Sequence, residues 1–136
     1  MLNIDNYALS QKRLKHAKDD LADAQLLLSK ERYQSAVNRS YYAVFHAMRA
    51  VLALDGVESK KHSGVISEFR KRYIKTGIFE KDMSVVLTKQ FNMRSLSDYD
   101  DLYDVSEQEA MIQFHQAEMT VAEIEAFLLV IYAKQE

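Results

Sequence analysis

A chain of 136 residues, 48% hydrophobic and 28% charged, is the size of one ordinary domain and long enough to bury a sizeable core. It contains no Cys, which excludes disulfides, thiolate metal sites and Cys nucleophiles and fits a reducing compartment. A formal net charge of -2 argues against a general nucleic-acid binder, so any RNA contact must be local.

The charge is nonetheless uneven. Lys60, Lys61, Arg70, Lys71, Arg72 and Lys75 make 60–75 basic, whereas Asp98, Asp100, Asp101, Asp104, Glu107 and Glu109 make 98–109 acidic. No apolar run of the ~18 residues needed to span a membrane exists, and the start MLNIDNYALSQKR lacks the apolar core of a signal peptide. The expectation is a cytoplasmic protein without membrane association, folded as a single domain over 1–136.

With Pro absent and Gly only at 56, 64 and 77, almost nothing interrupts a helix, so the chain reads as all-α. In the first segment, about 6–29, Leu14, Ala17, Leu21, Ala24 and Leu28 recur at spacings of three and four and line one side of a helix. The second, about 33–54, places Tyr33, Ala36, Val37, Ser40, Tyr41, Val44, Met48 and Val51 on one face, with Gly56 as its C-terminal stop. A basic third helix, about 63–75, ends near Gly77, and a fourth runs from about 80 to the Asp-rich stretch. The fifth opens at Ser106-Glu107-Gln108-Glu109, a capping box, and continues along Phe114, Ala117, Val121, Ile124, Leu128 and Ile131. Short connections between long helices predict an up-and-down bundle of four to five antiparallel helices.

Opposite the apolar face of the second helix, Arg39, Tyr42, His46 and Arg49 form a stripe at spacings of three, four and three, with Asn38 beside it. Two cations, an imidazole and a phenol could hold a phosphate. The plainer alternative is a helix interface in which Tyr42 packs and Arg39 pairs with an acid of a neighbouring helix. His62, just before the basic helix, stands where free N–H groups favour an anion, or else serves as a solvated cap. His16 and His115 read as surface residues. No metal cluster is visible, and no metal or cofactor is expected.

The run Ala36-Val37-Asn38-Arg39-Ser40-Tyr41-Tyr42-Ala43-Val44-Phe45-His46-Ala47, the later Lys61-His62-Ser63-Gly64-Val65, and Arg94 followed by Asp98-Tyr99 resemble the HEPN domain family (higher eukaryotes and prokaryotes nucleotide-binding). The resemblance spans about Leu14 to Leu128. It implies a bundle of four or five helices, usually a homodimer. Many members are RNA-cleaving toxins or are partnered with a minimal nucleotidyltransferase in toxin–antitoxin pairs.

Nucleases of the family carry an Arg followed, after four to six residues, by a His on the same helix. Such a His exchanges a proton with the ribose 2′-OH or the leaving oxygen, while the Arg stabilises charge on the phosphate. Arg94 matches the Arg, but Tyr99, Asp100 and Asp101 occupy the positions open to the His. An ordinary Tyr ionises near pH ~10, so Tyr99 is a poor base at neutral pH. Asp98 and Asp101 could instead pair with Arg94 and make it structural. The letters of Asp100-Asp101-Leu102-Tyr103-Asp104 match a terpene-synthase magnesium motif only by coincidence.

Three readings remain open. The first is a non-catalytic or weakly catalytic HEPN module that binds a nucleotide, RNA or a protein partner, with a minimal nucleotidyltransferase as the candidate partner. The second is an active RNase in which Arg94 works with His46 or His62. The third is a ligand-free scaffold. Leu96, Tyr99 and Tyr103, spaced three and four apart on the fourth helix, are expected to support a homodimer.

Overall fold

Asn3 opens the first helix, its side-chain oxygen accepting the backbone N–H groups of Asp5 and Asn6. This computed structural model describes residues 3–135. Helix α1 spans Ile4–Ser29, α2 Tyr33–Leu54, α3 His62–Phe69, α4 Lys81–Tyr99 and α5 Glu107–Ala133. No strand occurs among the described residues, so the all-α expectation holds.

α1 and α2 end in the same way with different residues. After α2, Gly56 takes φ +69°, while its N–H donates to Ala53 and that of Val57 to Leu52, which satisfies the last carbonyls. After α1, Glu31 makes the equivalent bond to Leu28 and Arg32 to Leu27, with Glu31 at φ 60°. The first is the stop that Gly56 signals in the sequence. The second needs a left-handed backbone at a residue with a Cβ, so no sequence signal marks it.

The hairpin this makes is antiparallel, because partners that climb along α1 descend along α2: Ser10 against Ala50, Arg13 against Arg49, Asp20 against Arg39. α5 returns beside α1, with Tyr132 against Ser10 and Glu125 against Lys18. α4 runs against α2, with Ser97 beside Gln34 and Arg94 beside Tyr42. Four long helices thus alternate in direction, and α3 lies in the connection between α2 and α4.

α2 is the central element. Tyr41, Val44, Met48 and Val51 are buried as the apolar spacing predicts, but so are Phe45, Ala47, Ala50 and Leu52 on its other sides. Contacts from α1, α3, α4 and α5 enclose it. The stripe Arg39, Tyr42, His46, Arg49 is therefore not a free outer face: all four side chains are half-buried beneath neighbouring helices. α5 supplies Ala117, Val121, Ile124 and Leu128 to the same core, each buried large aliphatic contributing about 1.5–3 kcal/mol. Its N-terminus carries the predicted capping box, Ser106 accepting the N–H of Glu109 while Glu109 accepts that of Ser106.

Two details position α3. Gly64 lies so close to Ser59 that an added Cβ would fall 2.1 Å from the Ser59 hydroxyl and 3.1 Å from its Cβ, so the Ser59 side chain would have to turn away. At the other end the chain continues as a π-helical turn, Arg70–Ile74, closed by Lys75 N–H to the Arg70 carbonyl. Arg70 there bonds Ser84 and Thr88 of α4, and Tyr73 donates to Asp55 at the end of α2.

α4 stops at Tyr99. Asp100 has extended backbone and its carboxylate accepts the Leu102 N–H, so it ends the helix. Two expectations fall with it. Asp101 lies beyond the helix, exposed, and makes no pair with Arg94; Tyr103 is not on α4 but donates its hydroxyl to Glu109 of α5. No helix of the described residues is long and apolar enough to cross a membrane.

Candidate functional site

Tyr42 sits where α2 and α4 meet, and the predicted residues gather on its ring. The Arg39 guanidinium lies 4.9 Å from the ring centroid and that of Arg94 5.5 Å from it. Arg94 also donates from Nη2 to the Tyr42 hydroxyl at 3.1 Å. The His46 ring is 6.0 Å from Tyr42, and the His62 ring meets it edge-on at 5.7 Å. Residues from three helices therefore share one cluster, which spacing along a single helix does not reveal.

A hydrogen-bonded chain runs across the mouth of this cluster. Arg39 donates from Nε and Nη2 to Asn38 Oδ1, Asn38 donates to Asp98, and Asp98 pairs with Arg94 Nε at 3.0 Å. The Nε–H of Arg94 is not aimed well enough at Asp98 to form a hydrogen bond, although its side chain is only 14% exposed. Arg94 is thus held as an ion pair one turn from Asp98, which is the structural pairing the spacing allowed. Gln34, Ser35, Asn38, Arg39 and Asp98 line an open groove of about 440 Å³ beside it.

Tyr99 is 74% exposed at the last turn of α4, its ring 5.6 Å from the Arg94 guanidinium. A phenol, not an imidazole, therefore stands next to Arg94 on this helix. Tyr41, buried, faces His62 Nδ1 with its hydroxyl at 2.9 Å, and burial pushes its ionisation far above the ordinary range. His62 is stacked on Phe45 at 4.2 Å rather than solvated, and its side chain makes no cap. Burial lowers its pKa, and the charges of Arg94 and Arg49 lower it further.

Arg49 belongs to another group: it lies over Phe45 and faces Glu58 at 3.7 Å, which Arg13 also holds at 2.6 Å. Arg39 makes the predicted bond to an acid of a neighbouring helix, Asp20 of α1, at 3.2 Å. His115 is exposed as expected, 4.0 Å from Glu118. His16 is exposed but not isolated: its ring stacks on His46 at 4.0 Å. Sequence reasoning missed Asp20, whose one available signal is its place one turn from His16.

Comparison with known proteins identifies the family and the fold. The sequence model of the HEPN domain matches residues 10–127. A UPF0332 protein of Thermotoga maritima is 36% identical over 114 residues, covering 84% of this chain and 86% of that protein. A Methanocaldococcus jannaschii protein named "Putative toxin MJ0605" is 34% identical over 128 residues, covering 94% and 95%. The crystal structure of TT1696 from Thermus thermophilus superimposes with a TM-score of 0.74 at 18% identity, over 86% of this chain and 96% of that one, which shows a shared fold. The chain belongs to the HEPN domain family.

Proposed function

We propose that this protein is a HEPN module that binds a nucleotide or single-stranded RNA at the mouth of the Tyr42 cluster and cleaves it weakly or not at all. The observation that carries the reading is the setting of Arg94: paired to Asp98, bonded to Tyr42, and flanked by an exposed Tyr99. An exposed phenol beside a guanidinium is a stacking platform for a base, whereas it is a poor proton acceptor. Asn38 and Arg39 at the groove supply donors for phosphate oxygens.

The words "Putative toxin" in the name of the M. jannaschii relative support a toxin–antitoxin setting; a minimal nucleotidyltransferase as the partner is part of the proposal and rests on the family resemblance alone. Exposed Leu96, Tyr99 and Leu102 at the end of α4 support a homodimer that would set two Arg94 clusters side by side.

Fluorescence anisotropy with a labelled single-stranded RNA tests the binding. Affinity should fall as salt rises, with a log–log slope of about -0.7 for each phosphate neutralised. Tyr99→Ala should weaken it by roughly 1–3 kcal/mol, the worth of one stacked base. Affinity indifferent to both salt and Tyr99 would reject the site.

One observation favours an active RNase as the second reading. His62 touches Tyr41 and Tyr42, the same rings that Arg94 covers, so an imidazole does lie near the motif Arg. Cleavage abolished by His62→Ala would select it.

A further inference from the structure

We infer that His16, Asp20 and His46 form a binding site for one divalent transition-metal ion of the zinc class, joining α1 to α2 beside the Tyr42 cluster. One potential ligand atom from each residue lies within 4.8 Å of the others. His46 Nε2 stands 3.8 Å from Asp20 Oδ2. A tetrahedral ion with bonds of roughly 2.0–2.2 Å needs donors about 3.3 Å apart, so the three side chains must draw together around the ion.

The state of Asp20 is the second, independent sign. Its side chain is only 3% exposed, and Arg39 holds Oδ1 at 3.2 Å, but the buried Oδ2 has no hydrogen-bond partner and faces His46. A buried carboxylate oxygen left without a partner is costly, and a cation at that point would satisfy it. Arg39 meanwhile fixes the carboxylate's orientation, as the outer partners of metal ligands do.

His46 reaches the site from α2 with its side chain only 13% exposed. The His16 ring stacks parallel to it, within 13°, so the two sets of lone pairs run side by side rather than converging. His16 is exposed, so its ring has room to tilt onto the shared point. His16 and Asp20, one turn apart on α1, already present to the same side of that helix.

Cations nearby set the expected strength. Arg13 and Arg49 share Glu58, and Arg39 is paired to Asp20 itself, so their repulsion of an ion is reduced but not removed. Asp23 adds negative charge close to Asp20. The prediction is micromolar rather than nanomolar affinity. Two imidazoles and one carboxylate, with a position open to water, select Zn²⁺, Co²⁺ or Ni²⁺ over Mg²⁺ or Ca²⁺.

The test uses the full chain without an affinity tag, stripped with EDTA. Calorimetry with ZnCl₂ should give one ion per chain, and CoCl₂ should produce visible ligand-field absorption that millimolar Mg²⁺ does not displace. His16→Ala, at an exposed position, should weaken Zn²⁺ binding at least tenfold, while His115→Ala leaves it unchanged. No Zn²⁺ uptake by the wild type at ~100 µM, displacement by Mg²⁺, or undiminished binding in His16→Ala would overturn the assignment.

Discussion

Arg94 and Tyr42 are bound at 3.1 Å through the guanidinium Nη2 and the phenol hydroxyl, which ties the last turns of α4 to the middle of α2. The Arg proposed for the site is thus also a fastener between helices. Tyr42→Phe should keep the ring and its cation contacts but leave Nη2 without this acceptor, at a cost of about 0.5–1.5 kcal/mol. Arg94→Ala should lose more, because Asp98 is then left half-buried without its cation. Urea midpoints of the two variants check the order, and a larger loss in Tyr42→Phe would contradict it.

Arg39→Ala is not the neutral probe of phosphate binding that its place on the stripe suggests. It strands the buried Asp20 carboxylate, so unfolding free energy should fall by about 1–3 kcal/mol. Adding Asp20→Asn should recover part of that loss, and a double-mutant cycle measures the coupling. Strict additivity of the two single changes would show that the pair contributes nothing.

Burial holds the pKa of His46 down to about 4 in the fold, below its ordinary 6.5, so between these values the unfolded chain binds the extra proton. Its contribution is therefore complete above pH ~6.5 and is lost as pH falls toward 4. His62, lowered by burial, acts in the same direction, whereas Asp20, raised by burial, acts oppositely at the acid end. In EDTA, stability should drop from pH 7 to pH 5, and His46→Phe should reduce that drop. An unchanged drop in the variant would remove His46 from the account.

The paired helix ends give a stability prediction independent of the site. Glu31 and Gly56 hold the same left-handed position with the same hydrogen bonds, but only one has no Cβ to strain. Glu31→Gly should stabilise by about 0.5–1 kcal/mol and Gly56→Ala should destabilise by at least as much. Thermal unfolding of both variants decides it, and a loss in Glu31→Gly would mean that its carboxylate makes up for the strain.

The fold was largely legible because it rests on local signals. The three-four spacing from Leu14 to Leu28 and from Phe114 to Ile131, the capping box at Ser106 and the stop at Gly56 each act within a few residues. The site was legible only in its parts. Arg39, Tyr42 and His46 could be placed on one side of α2, and Arg94 on α4, but nothing within one helix says that α2 is covered all round. For the same reason His16 read as an isolated surface residue: its partner His46 is thirty positions away and meets it only through the antiparallel register of α1 and α2. The pairing of Arg94 with Asp98 was foreseeable from one-turn spacing, whereas that with Asp101 failed because Asp100 ends the helix first.

Cleavage of RNA by the purified protein bears most directly on the proposed function. General acid–base assistance is worth roughly 10²–10⁴-fold, and α4 carries no His after Arg94 to supply it. Structured and single-stranded RNAs incubated with wild type, Arg94→Ala and Tyr99→His would be resolved on a denaturing gel. The account predicts intact RNA with the wild type and cleavage, if any, only with Tyr99→His. Robust wild-type cleavage that disappears in Arg94→Ala would contradict it.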